Sequence, residues 1–166
     1  SDHQTGTTWG EKGKTPIVKR SGNRFGCNAI TAINNQGGMR FMVFDGRFNV
    51  ETFLKFLDRM VKQSNGRKVF LILDRHSVHK AKKVEQWLLG REDKIQVFFL
   101  PAYSPELNPD ELANQDIKCN LFKKGRPDDR PKLVGMLRGF LRSRQRQPSR
   151  VKKYFEGKYV AYAKAA

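Results

Sequence analysis

Hydrophobic and polar positions alternate between two periods along the chain. Arg24–Ile33 and Met39–Phe44 read as strands, and the stretch "NNQGG" between them, Asn34–Gly38, is a strong turn signal, so the pair is expected to form a hairpin. The period then changes. Phe53, Phe56, Leu57, Met60 and Val61 fall at i, i+3, i+4, i+7 and i+8, the stripe of an amphipathic helix over Val50–Lys62, with "SNG" at Ser64–Gly66 as its stop. Lys68–Leu73 is a nearly continuous apolar run, which predicts a central strand covered on both faces. A helix over Lys80–Leu89, with Val84, Trp87 and Leu88 inward, and a second buried strand over Ile95–Leu100 complete a strand–helix–strand unit expected to be a parallel crossover. Asp110–Phe122, capped by Asn108, and Lys132–Arg146, with Leu133, Met136, Leu137, Phe140 and Leu141 inward, read as further helices. Ser1–Ser21 is a polar loop or ribbon anchored by Trp9, and Arg150–Tyr162 is a short basic, aromatic ending. The predicted class is α/β: one domain over residues 1–166, a mixed sheet flanked by helices.

Charge changes the picture from fold to partner. The chain carries a net charge of +17, and from Lys118 onward there are 15 Lys/Arg against 3 Asp/Glu. Such an excess points first to nucleic acid and second to an anionic membrane surface. Arg138, Arg142 and Arg146 recur at i+4 steps and are read as a track for DNA phosphates rather than a merely solvated face. Cys27 and Cys119 lack metal-ligand spacing, which sets a zinc site aside and suggests free thiols in a reducing compartment. No apolar run reaches the ~20 residues a membrane span needs, so no membrane partner and a cytoplasmic location, on the nucleoid when DNA-bound, are expected.

Against this basic background two acids occupy unusual places. Asp74 ends the apolar run "FLIL", and Glu111 opens a helix after a Pro-rich loop leaving the next strand. The carboxyl ends of parallel strands are where open α/β sheets bind ligands. Two carboxylates there suit hard divalent cations, and a pair of Mg²⁺ ions about 3.5–4 Å apart can activate water and stabilise the leaving oxygen in phosphodiester cleavage. Taken singly, Asp74 reads equally well as a helix cap and Glu111 as a first-turn acid favoured by the helix dipole. Lys118, two turns after Glu111, falls on the same helix face and could hold a phosphate, and His79 and Lys80 are read as opening a helix toward phosphate. His76 is read as a loop hydrogen-bonding residue rather than a metal ligand, and Tyr103, Ser104 and Asn108 as fixing the loop that presents Glu111, with base stacking a weaker role for Tyr103.

The stretches "LILDRHSVHKA" (Leu71–Ala81) and "LPAYSPELNPDE" (Leu100–Glu111), continuing as "LANQDIK" to Lys118, closely resemble the DDE-superfamily transposases of bacterial insertion sequences, in the mariner-related branch. "TTWGEKGKTP" (Thr7–Pro16) and "RQPSRVKKYFEGKYVAYA" (Arg146–Ala163) extend the resemblance over nearly the whole chain. It implies a ribonuclease-H-like fold, two Mg²⁺ ions with Mn²⁺ as substitute, a homodimer or higher assembly on DNA, and cleavage at element ends followed by strand transfer into target DNA. Asp74 matches the family's second aspartate and Glu111 its glutamate. The first aspartate, its strand and the family's helix-turn-helix region fall upstream of the matched segment. Asp2 matches a later polar position and is not assigned. The expectation is therefore a catalytic-domain fragment without its first strand, inactive alone. Arg75 stands where the family usually has Asn, beside the metal aspartate, and is expected at a phosphate or an acid. The reading from another class is a non-catalytic basic DNA-binding module, decayed or repurposed from such an enzyme. A nuclease without joining activity is a third.

Overall fold

The computed structural model describes residues 26–123 and 125–164. The expectations for Ser1–Ser21, Trp9 and Asp2 lie outside the described residues.

Strands β1 (Asn28–Ile33) and β2 (Met39–Phe44) pair antiparallel, with Thr31 opposite Phe41. The turn between them works as read. Asn34 Oδ1 accepts from Gly38 N at 2.6 Å, and Gly37 takes φ 90° where an added Cβ would lie 2.6 Å from the Pro148 carbonyl oxygen. Only glycine meets both conditions. Helix α1 (Val50–Lys62) has the predicted bounds; Asn49 caps it by accepting from Thr52 N at 2.9 Å, and Phe53, Phe56 and Leu57 are buried. Strand β3 (Val69–Leu73), helix α2 (Lys82–Leu88) and strand β4 (Ile95–Phe99) form the expected parallel crossover, with Leu71 opposite Val97. Helices α3 (Pro109–Asn120), α4 (Arg130–Gln145) and α5 (Pro148–Lys153) follow.

Two cores organise these pieces. One joins Phe53, Leu57, Leu71, Val84 and Ile95, where α1 and α2 close over β3 and β4. The other joins Met39, Ala113, Leu137, Leu141, Val151, Tyr154 and Phe155, where α3, α4 and α5 pack on the hairpin. Leu133, Leu137 and Leu141 are the buried stripe of α4, spaced one turn apart.

Three expectations need correction. The described strands form two two-stranded sheets, β1–β2 and β3–β4, rather than one mixed sheet. Strand β3 is not covered on both faces: Leu71 is buried, but Phe70 and Ile72 are 65% and 53% exposed, because the described helices supply a cover on one face only. Phe98 is exposed on the same side and its ring lies 6.5 Å from that of Phe70. The segment after Asp74 does not enter α2 directly. Ser77–Lys80 is a 3₁₀ turn, and α2 starts at Lys82.

Candidate active site

Parallel pairing places the carboxyl ends of β3 and β4 side by side. Leu100 N donates to Leu73 O at 2.8 Å, and Arg75 Nε donates to Leu100 O at 3.0 Å, which ties the two exits together. Arg75 thus meets a backbone carbonyl and, of the two partners expected for it, pairs with no acid among the described residues.

Asp74 divides its carboxylate between two tasks. Oδ1 accepts from His76 N at 3.0 Å and lies 2.8 Å from His79 Nδ1, which is also 3.2 Å from the Asp74 main-chain oxygen. Oδ2 has no partner among the described residues, and the side chain is 55% exposed. Asp74 does not cap the segment that follows: His76 is the N-cap of the 3₁₀ turn, and Ala81 precedes α2 without a side-chain cap bond. One Asp74 oxygen fixes the turn, which removes rotational freedom from the carboxylate, and the other faces outward.

His79 does not reach toward phosphate as expected. Its side chain is 11% exposed, with its ring 4.6 Å from that of Phe53 and 5.7 Å from that of Phe48. Burial lowers its pKa, which outweighs the opposing pull of Asp74, so the ring is neutral at pH 7 and its Nδ1–H donates to Asp74. The alternation of the 3₁₀ turn turned this histidine inward and left Lys80 exposed. His76 acts as read: its Nδ1 accepts from Val78 N at 3.2 Å.

The loop after β4 carries a short 3₁₀ turn, Pro105–Leu107, and then α3. Asn108 caps α3 by accepting from Asp110 N at 3.0 Å, and Ser104 Oγ donates to Ala102 O at 3.2 Å. Tyr103 does not fix the loop; its side chain is fully exposed and its backbone sits at φ 57°. Glu111 is exposed in the first turn of α3, with no partner for its carboxylate among the described residues. Lys118 is exposed further along the same helix.

Asp110 was not read as a site residue, yet it links the site together. The single Thr31 hydroxyl proton is shared between its two oxygens, with Oγ1 at 2.8 and 2.7 Å, which pins the start of α3 to β1. Burial pushes its pKa up to about 6; the Thr31 bonds pull down, and Glu111 and Asp74 push further up. Asp74 follows β3 directly, and the loop that leads to Asp110 and Glu111 leaves the adjacent β4. Sequence carried a weak signal for Asp110, a second acid directly before Glu111, but not its contact with a threonine 79 positions earlier.

Among the described residues no three His, Cys, Asp or Glu side chains stand close enough to hold a metal together. The donor set still fits a hard cation in part: the outward oxygen of Asp74 and the carboxylate of Glu111 are both unengaged, and oxygen ligands of this type suit Mg²⁺ or Mn²⁺.

Of the arginine track, Arg138 and Arg142 are exposed on α4, while Arg146 lies at its C-cap. Arg144, between them, is withdrawn from the surface. Its Nε donates to Asp116 Oδ2 at 2.5 Å, and Tyr154 OH donates to the same oxygen at 2.6 Å. This knot joins α3, α4 and the residue after α5. No helix among the described residues is long and apolar enough to cross a membrane. Cys27 is half-buried and Cys119 exposed; both are free thiols.

A family model described as DDE superfamily endonuclease matches residues 1–134. The chain belongs to the DDE superfamily endonucleases. Among solved structures, this DDE endonuclease domain is similar to the Mos1 transposase paired-end complex with left transposon end, at 19% identity and a TM-score of 0.60 over 95% of this chain and 50% of that one. It is similar to the Mos1 mariner paired end complex with Mn at 18% identity and a TM-score of 0.60, covering 94% of this chain and 50% of that one. The catalytic domain of Mos1 mariner transposase matches at 17% identity and a TM-score of 0.54, covering 84% of this chain and 82% of that one. The fold is thus ribonuclease-H-like, shared with the Mos1 structures. The chain spans about half the length of the paired-end structures it resembles. No curated protein matches the chain.

Proposed function

We propose that this domain is the catalytic domain of a transposase of the bacterial insertion-sequence type, which cuts phosphodiester bonds at element ends and transfers the freed 3′-hydroxyl into target DNA. The observation that carries the reading is the place of Asp74 at the exit of β3, tied to the neighbouring exit of β4 from which the loop to Glu111 departs. Within a DDE endonuclease, acids so placed have a specific task. A bound divalent cation supplies Lewis acidity and an activated water for phosphoryl transfer. Asp74 and Glu111 would hold it, with an upstream aspartate completing the set and Mg²⁺ as the cation of choice. His79 fixes the orientation of Asp74, and the Thr31–Asp110 bonds fix that of α3 and hence of Glu111. Such positioning lowers the reorganisation needed at the moment of reaction. Lys80 and Lys118, and the two terminal nitrogens of Arg75, are the cations available to phosphates near the acids, and Arg138, Arg142 and Arg146 those further off. The family's paired-end chemistry calls for a dimer or higher assembly.

The test is metal-dependent nicking of supercoiled plasmid by the full-length protein, alongside Asp74→Asn and Glu111→Gln. Nicking with Mg²⁺ or Mn²⁺ that both substitutions abolish by at least about a hundredfold, with DNA binding retained, is expected. Equal activity in all three proteins would reject the two acids as the catalytic pair. DNA binding with no nicking under any metal would favour the non-catalytic module.

A further inference from the structure

A groove of about 330 Å³ runs along β2 between the C-terminal parts of α1 and α4. Four arginines line it, Arg40 from β2, Arg59 from α1, and Arg138 and Arg142 from α4, and no acid does. All four are exposed, and none has a carboxylate partner among the described residues. This contrasts with Arg144 and Arg130 on the same helix, which pair with Asp116 and Asp45. Four unneutralised guanidinium groups around one concavity repel one another, and the fold tolerates them only because water and counterions screen them. An anionic ligand that displaced those counterions would relieve the repulsion.

We infer that this groove is a second nucleic-acid site, one that grips the phosphate backbone of DNA apart from the acids that act on it. The inference rests on reading the chain as a DNA-acting domain. The geometry suits a phosphate chain. Arg138 and Arg142 stand one helical turn apart, an axial rise of about 6 Å, close to two base steps along one DNA strand at about 3.4 Å each. Arg40 and Arg59 approach from two other elements, so the cations meet the ligand from both walls. The planar guanidinium fork matches phosphate oxygens in bidentate pairs.

An added peptide strand is the other occupant an open edge invites, because β2 pairs only with β1 among the described residues. Strand addition needs pockets for alternate side chains. Here Phe41 and Val43, on the groove floor with Met42, are engaged with the core of α3, α4 and α5, and the walls are arginine and glutamine. Charges along an edge oppose strand addition. The groove therefore favours phosphate.

The experiment measures binding of a labelled duplex to the full-length protein by fluorescence anisotropy in EDTA, over 50–200 mM salt. The test variant is Arg59→Glu with Arg142→Glu. The control, Lys68→Glu with Lys94→Glu, changes net charge equally at the opposite, amino end of β3 and β4. Circular dichroism checks the fold of both. The groove variant is expected to weaken binding at least about tenfold more than the control, and to reduce the slope of log affinity on log salt by roughly two. Equal behaviour of the two variants, or an unchanged slope, overturns the inference. So does displacement of the duplex by a polyglutamate as effective as unlabelled DNA, which would assign the groove to a polypeptide. If the groove variant binds like the control while Asp74→Asn still abolishes nicking, the groove alone is rejected. If the unaltered protein binds no DNA, the proposed function falls with it.

Discussion

Replacing Asp116 by alanine is expected to cost the fold about 3–5 kcal/mol, although Asp116 takes no part in the proposed chemistry. Its side chain is 9% exposed, and that of Arg144 is 11% exposed. The carboxylate accepts from Arg144 Nε at 2.5 Å, Tyr154 OH at 2.6 Å, Asn120 Nδ2 at 2.6 Å and Arg150 at 3.4 Å. Removing it leaves the largely covered Arg144 guanidinium without its counter-charge, and leaves the Tyr154 hydroxyl without its acceptor. An uncompensated buried charge dominates that cost, which approaches the whole stability of a small domain at about 5–15 kcal/mol. Urea unfolding followed by circular dichroism at pH 7 measures the loss. Adding Arg144→Met should restore part of it, because it removes the stranded charge and keeps the packing on Phe140, whose ring lies 4.2 Å from the guanidinium. A loss below about 1 kcal/mol for Asp116→Ala, or strict additivity of the two substitutions, would refute the reasoning. The same knot sets an acid limit. Burial pushes the Asp116 pKa up, but the Arg144 and Tyr154 hydrogen bonds and the two guanidinium charges outweigh it, so the net shift is downward. Its contribution is present above the ordinary carboxylate range and is lost as pH falls through the depressed value.

Two further predictions concern the site in the absence of divalent cations. The Asp110 pKa is raised from 3.8 to about 6, so its ionisation works against the fold as pH rises between those values. Asp110→Asn keeps a partner for Thr31 and should become more stable than the unaltered protein by up to about 3 kcal/mol above pH 6, the two-unit shift at 1.36 kcal/mol per unit. A stability gap that stays constant from pH 4 to 7 by urea titration would count against it. His79 has the opposite sign. Its pKa lies below 6.5 because burial disfavours the cation, so its contribution is whole above 6.5 and falls away as pH drops toward the folded-state value. His79→Gln should flatten that acid limb and cut nicking while leaving duplex affinity within about twofold; a loss of DNA affinity instead would make it a phosphate ligand after all.

Local elements were legible because their causes are local. The α1 stripe, the Asn108 cap and the Asn34–Gly38 turn each depend on residues within a few positions, and the structure reproduces them. The places of Asp74 at a strand exit and of Glu111 at a helix start were legible because an acid ending an apolar run or opening a helix is a pattern that needs no tertiary knowledge. The continuous run Lys68–Leu73 misled, because apolar composition states what a strand can bury and not what is there to cover it. His79 misled because its direction depends on the 3₁₀ turn that precedes α2 and on two phenylalanines from other elements.

What sequence alone determined is therefore the order of elements, the acidic pair and the basic surplus, all properties of neighbours along the chain. Tertiary structure decided which charges are spent and which are available. On α4 the pattern sets Arg144 on the Leu133–Leu137–Leu141 side and Arg138 off it, but not that the one meets Asp116 and the other faces a groove with Arg40 and Arg59. Likewise Asp110 and Glu111 are adjacent acids, and only packing against Thr31 separates a pinned, raised-pKa carboxyl from an outward one. The physical reason is common to both pairs. Helical periodicity sets the direction of a side chain, but its energy depends on partners that only folding brings within hydrogen-bond distance.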